Sequence, residues 1–120
     1  MPQYAALIYD RDVDWSQPEF ADMTKEYAAF GAAAAEVLRG GAALYPTSTA
    51  TSVKVTGGKG GDVVTSDGPY TETKEVLTGF YLLEAGDLDA AVTLAAQIPA
   101  AWMGGTIEVR PVIDFGSQMG

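Results

Sequence analysis

Apolar and polar positions along this chain follow two rhythms, one of period two and one of period 3.6. Residues 3 to 9, QYAALIY, form a short apolar run with aromatic ends, and the charged DRDVD follows at once. That pattern predicts a buried first strand that leaves its sheet at the charges. Ser16 and Glu19 have the Ser-x-x-Glu spacing of a capping box, Pro18 falls in the first turn, and Trp15 with Phe20 take the two positions of a hydrophobic staple. Phe20, Met23, Tyr27, Phe30, Ala34 and Val37 then recur at spacings of three and four. The spacing predicts an amphipathic helix of about six turns at 3.6 residues per turn, stopped by Gly40-Gly41, with Tyr27 and Phe30 in the core.

The period changes after the glycines. AALYP, 42 to 46, reads as a second strand closed by proline. ATSVKV and DVVTS flank Gly57-Gly58-Lys59-Gly60-Gly61, two β-branched runs around a glycine loop, which predicts a hairpin. The loop lacks the Lys-Ser/Thr ending and the following helix of a phosphate-binding loop. LTGFYLLE, 77 to 84, reads as a strand covered on both faces. Asp87 caps a second predicted helix, whose Leu88, Ala91, Val92, Ala95 and Ile98 share a face and which Pro99 ends. TIEVRPV, 106 to 112, alternates Ile107 and Val109 with Glu108 and Arg110, and the glycine-rich tail DFGSQMG is expected to fray.

The order is strand, helix, strand, inserted hairpin, strand, helix, strand. This predicts an α+β fold of the ferredoxin-like βαββαβ kind, with two helices on one face of an antiparallel sheet. The strands carry large apolar groups on both faces, as in Leu7 and Ile8 or Phe80 and Tyr81. A second cover is therefore expected, and face-to-face pairing of two sheets in a homodimer supplies it, giving a dimeric α/β barrel around a shared interior.

Bulk properties narrow the function. At 120 residues the chain is read as one domain, 1–120, able to bury a core without metal or disulfide. No apolar run approaches the roughly 20 residues of a membrane span, and the N-terminus lacks a basic segment followed by a hydrophobic one. A cytoplasmic protein with no membrane partner is the expectation. The net charge of −9 opposes direct nucleic-acid binding, since the lysines are scattered. There is no cysteine and no histidine, so thiolate chemistry is excluded and acid–base work falls to carboxylates, Tyr or Lys. No metal motif and no cofactor motif is present; a metal would need an all-carboxylate site, which the sequence does not locate.

Against that background the stretch SDGPYTETKE, 66 to 75, holds the candidate chemistry. Asp67 and Gly68 first suit a turn that Pro69 stiffens; the alternative is that a carboxylate held by that turn beside Tyr70 at an apolar cavity acts as a general base. Lys74 and Glu75 read as a solvated charge pair or as substrate contacts. If Ile107 and Val109 face the helices, Glu108 and Arg110 point to the other side of the sheet, where Arg110 suits an anionic or carbonyl-bearing ligand. Tyr9, at the strand end, either packs or lines a pocket.

The same stretch resembles the Asp-Gly-Pro-Phe-Ala-Glu-Thr-Lys-Glu signature of the DGPF proteins, a branch of the YCII-related group. QYAALIY, LTGFYLLE, DLDAAVTLAAQIPAA and TIEVRPV resemble that family's segments in the same order. Tyr70 stands where the family shows Phe, and Trp102-Met103 replaces a more polar stretch. The resemblance implies a dimeric α/β barrel. It also implies a cleft in which relatives use a His-Asp pair, some as dehydrohalogenases or similar lyases on small cyclic substrates; without histidine this chain has no such dyad. The leading expectation is cofactor-independent proton transfer of the elimination, isomerisation or cyclisation type on a small, cyclic or anionic metabolite. Asp67 is then the base, Tyr70 its polar partner and Arg110 the positioning group, with Tyr9, Lys74, Glu75 and Glu108 as further substrate contacts. The competing expectation is a noncatalytic regulator or ligand sensor, since DGPF proteins are often encoded beside extracytoplasmic-function sigma factors. The acidic surface suits a basic partner of that kind.

Overall fold

A computed structural model of the chain describes residues 1–116; residues 117–120, the end of the tail expected to fray, lie outside the described residues. Strand β1 (Gln3–Arg11) leads through a 3₁₀ turn to helix α1 (Ala21–Ala33). Strand β2 (Leu38–Ala43) follows, then the hairpin β3 (Thr51–Thr56) and β4 (Asp62–Asp67), then β5 (Glu75–Glu84). Helix α2 (Leu88–Ala95), the short helix α3 (Pro99–Trp102) and strand β6 (Thr106–Pro111) complete the order. β2, β5, β1 and β6 lie side by side in one four-stranded sheet, and β1 pairs antiparallel with both neighbours. This is the α+β, ferredoxin-like arrangement, with β3 and β4 forming a separate two-stranded sheet.

The alternation along β1 decides which face the helices cover. Tyr4, Ala6, Ile8 and Asp10 are buried while the residues between them are not. Ala6 pairs with Tyr81 and Val109, and Ile8 with Gly79 and Ile107, so these residues share the covered face. The core there joins Ala6, Ile8 and Leu83 to Phe30 and Ala34 of α1 and to Ala95, Ile98 and Ala100. Phe30 retains only 5% of its surface, and its ring stands 5.2 Å from that of Tyr81. Burial of this size anchors α1 to the sheet.

Several local expectations give way to packing. The helix runs for 13 residues, not six turns, because the chain must reach the sheet edge by Leu38. Gly40 and Gly41 do not stop it; they belong to β2, which begins four residues before the expected strand. A Cβ at Gly41 would lie 2.5 Å from the Phe80 carbonyl oxygen, and one at Gly79 2.7 Å from that of Ala42, so glycine at both lets β2 and β5 close. Ser16 caps nothing: the residue before the 3₁₀ turn is Gln17, with no side-chain cap. Asp14 instead accepts from the Ser16 N–H (2.9 Å), the Ser16 hydroxyl (2.5 Å) and Gln17 Nε2 (3.0 Å). The Trp15–Phe20 contact does form, with centroids 4.7 Å apart.

Asp87 caps α2 as its spacing predicts, its Oδ1 accepting the Ala90 N–H at 2.8 Å. On that helix Ala91 and Ala95 are buried but Leu88 and Val92 are exposed, so the apolar stripe is narrower than the sequence suggests. Pro99 opens α3 rather than only ending α2. Among the described residues no helix is long and apolar enough to cross a membrane.

Candidate functional site

A cavity of about 560 Å³ opens between α1 and the sheet. Its floor is made where the covered face loses its side chains: Gly41, Ala43 and Gly79 lie there. Met23, Thr24 and Tyr27 of α1 form the opposite wall, and Trp15, Leu44 and Tyr45 line it from the loops after β1 and β2. Glycines that allow β2 and β5 to approach thus also leave room above them, which links the backbone requirement directly to the cavity.

Asp10 is the last inward residue of β1 and keeps 6% of its surface, the one buried charged side chain among the described residues. Its Oδ1 accepts the Arg11 N–H at 2.7 Å. A Cβ at Gly105 would lie 3.1 Å from its Cγ, so the carboxyl group is seated against backbone. The one ion pair among the described residues, Arg39 with Glu84 at 2.7 Å, lies on β2 and β5 at the far end of the sheet. Arg11 turns away: its guanidinium stands 5.4 Å from the Trp15 ring and 5.8 Å from that of Phe20. No lysine or arginine lines the cavity. A buried carboxylate without a cation is costly unless something else satisfies it.

Tyr27 faces the same space. Burial pushes its hydroxyl up to about 12; the Ala100 N–H acts in the opposite direction, and the neighbouring Tyr81 and Asp10 add to the rise. Burial likewise raises Tyr81. Both phenols therefore remain neutral donors near neutral pH. The Trp15 indole N–H is buried and finds no partner among the described residues. The cavity wall thus offers the buried Asp10 carboxylate, the Tyr27 and Tyr81 phenols and the Trp15 donor, on a largely apolar lining that also includes Asp14 and Tyr45.

Two further carboxylates hold the loops here, Asp12 beside the cavity and Asp14 on its lining. Asp12 takes the Thr47 N–H and hydroxyl, and these bonds, the hydroxyl first, hold its carboxyl below the ordinary range. The Ser16 and Gln17 side chains and the Ser16 N–H do the same for Asp14.

The residues singled out from sequence lie elsewhere. Asp67 ends β4 opposite Thr51 and is exposed, and Tyr70 is 86% exposed. Lys74 is exposed, and Glu75 opens β5 opposite Arg11. Tyr9, Glu108 and Arg110 share the uncovered face, where Glu108 pairs with Leu7 and Arg110 with Ala5. The hairpin leaves the sheet near the Arg11–Glu75 end, six residues along β1 from Ala5, or about 20 Å at a strand's rise. Neither Asp67 nor Arg110 lines the cavity under α1. The cavity pair, Asp10 and Tyr27, was missed although the signal was present. Strict alternation from Tyr4 puts Asp10 in the inward file, and the charges after it mask that by resembling a strand end.

A ferredoxin-like α+β chain with a buried carboxylate in an apolar cleft is the class that fold and geometry define. The chain belongs to the YCII-related domain family, whose model matches residues 3–116. It is 35% identical over 115 residues to an uncharacterized protein, R00369, of Rhizobium meliloti (strain 1021), covering 91% of this chain and 90% of that one.

Proposed function

We propose that this protein is a small-molecule-binding homodimer that performs cofactor-independent acid–base chemistry of the lyase or isomerase type in the cleft under α1. Asp10 is the proton acceptor and Tyr27 the hydroxyl that binds or protonates a substrate oxygen. The observation that carries this reading is the burial of the Asp10 carboxylate at an apolar cleft with one backbone N–H and no cation as its company. The base is placed at Asp10 rather than Asp67 because Asp67 is solvated. The expected substrate is small and largely apolar, presents a proton-bearing group to Asp10 and an acceptor to Tyr27 or Trp15, and carries no anion beside Asp10. Ala5, Leu7, Tyr9, Phe80 and Leu82 form an apolar patch on the uncovered face, flanked by Glu108 and Arg110, and this is the face assigned to the second copy.

The base is tested with 5-nitrobenzisoxazole, whose ring opens when a base removes its C3 proton and the N–O bond breaks to release a phenolate. Wild-type protein is expected to accelerate that opening beyond free acetate, and Asp10→Asn to lose about 10²-fold or more of the rate. A folded Asp10→Asn variant with the wild-type rate rejects Asp10 as the base.

A further inference from the structure

We propose that the β3–β4 hairpin is an intersubunit arm, whose apolar face packs on a second copy of this chain and whose direction is set by the Asp67-Gly68-Pro69-Tyr70 turn. The inference rests on the homodimer proposed above and gives the signature stretch a role that the cleft does not.

The hairpin is amphipathic by register. Thr51 pairs with Asp67, Val53 with Thr65 and Val55 with Val63, so these six share one face, apolar toward the hairpin loop, while Ser52, Lys54, Thr56, Asp62, Val64 and Ser66 share the other. Nothing among the described residues covers the apolar side: every residue of β3 and β4 except Ser52 is exposed, with Val53 at 63% and Val63 at 68%. A two-stranded hairpin alone in water is marginal and needs a surface to lie on. The chain's dimensions agree. Its radius of gyration is 16.6 Å and its least extent 19 Å, against about 13.6 Å expected for the radius of a compact chain of this length. The excess is what a projecting arm on a thin sheet produces.

The occupant is a second copy for three reasons. The same chain leaves a second apolar surface open, the uncovered sheet face, and one two-fold operation covers both. The arm's two lysines and two aspartates cancel, so the whole net charge of −9 lies on the remainder of the chain; the arm is thus a neutral surface that an equally acidic copy does not repel. A standard interface takes about 800 Å² per partner, roughly a tenth of the 8198 Å² of this chain, and the arm brings Val53, Val55 and Val63 to it at 63%, 50% and 68% exposure.

The turn gives the arm a defined aim. Gly68 has φ +99°, which favours glycine. Its N–H donates to the Ala50 carbonyl at 2.7 Å, and its own carbonyl accepts from the Ser52 hydroxyl at 2.9 Å. Asp12 fixes the other root through Thr47.

Sedimentation equilibrium of the full chain tests the arm with V53T/V55T/V63T, which keeps shape and strand propensity but not the apolar face. Wild type is expected to dimerise at micromolar concentration, the triple variant to raise the dimer Kd at least about tenfold with the circular dichroism of the body unchanged, and Gly68→Ala to shift Kd the same way. Leu82→Glu reports on the sheet face separately. A triple variant that dimerises like wild type, while Leu82→Glu is monomeric, overturns the arm and leaves the face dimer standing. Unchanged dimerisation of Gly68→Ala overturns the role of the turn, and a monomeric wild type overturns both arm and dimer.

Discussion

Thr47 gives both of its donors to Asp12, its N–H to Oδ1 at 2.8 Å and its hydroxyl to Oδ2, across 35 positions of sequence. The bond joins the loop after β1 to the root of the hairpin, beside the Leu44–Tyr45 wall of the cleft. Asp14 holds the Trp15–Ser16 side in the same way. Both carboxyls sit below their ordinary 3.8 in the fold, so the stability they add is present above that value and is lost as pH falls through their depressed folded range. Thermal melts from pH 7 downward are expected to show wild type losing its advantage over D12N/D14N below about pH 4. The two curves should converge at the acid end. A constant gap across the whole range rejects the assignment.

The two half-buried phenols respond at the opposite end of the scale. Tyr27 is raised to about 12 by burial, and Tyr81 is raised by burial as well. A raised folded value favours the protonated native state, so this stability is complete below pH 10 and is lost as pH rises through the folded value. Ultraviolet titration of the six tyrosines is expected to show a late-ionising component near pH 12 that disappears when Tyr27→Phe and Tyr81→Phe are combined. A late component of unchanged amplitude in the double variant counts against the placement of these rings.

Much of this fold was legible because period and burial agree. The apolar run of β1, the glycine loop between Val55 and Val63, and the Asp87 cap each act through neighbours in sequence, and each appears in the fold, although β1 runs on through Asp10 and Arg11. The end of α1 was not legible, since Gly40-Gly41 reads locally as a stop and only the Phe80 carbonyl of a strand forty residues on explains why glycine is needed inside β2. The candidate site was hidden for a similar reason. Asp10 and Tyr27 are 17 positions apart and meet only because β1 and α1 pack together, whereas the signature stretch is conspicuous in sequence and lies on a solvated arm.

The close approach of β2 and β5 makes the cavity floor testable. A methyl at Gly79 would lie 2.7 Å from the Ala42 carbonyl oxygen, and the obstacle is backbone rather than a movable side chain. Gly79→Ala is expected to cost about 1–3 kcal/mol in urea unfolding. Ala43, exposed and opposite Gly79 on the edge strand, provides the control: Ala43→Ser should fall within about 0.5 kcal/mol. Equal effects of the two substitutions reject the crowding argument.

Capping separates the two helices by mechanism. Ser16 has the spacing of a cap, but its hydroxyl donates to Asp14 and does not accept an N–H of the helix. Asp87 accepts the Ala90 N–H at 2.8 Å at the start of α2, whose Ala91 and Ala95 are buried. Removing Asp87 leaves that N–H without a protein partner, so Asp87→Ala is expected to cost about 0.5–2 kcal/mol. Ser16→Ala removes one solvated bond from a loop and should cost less than about 0.5 kcal/mol. The ordering, read by chemical denaturation of both variants, is the discriminating result. A Ser16→Ala cost as large as that of Asp87→Ala means that the capping box predicted from sequence forms in solution and that Asp14 is not what organises the turn.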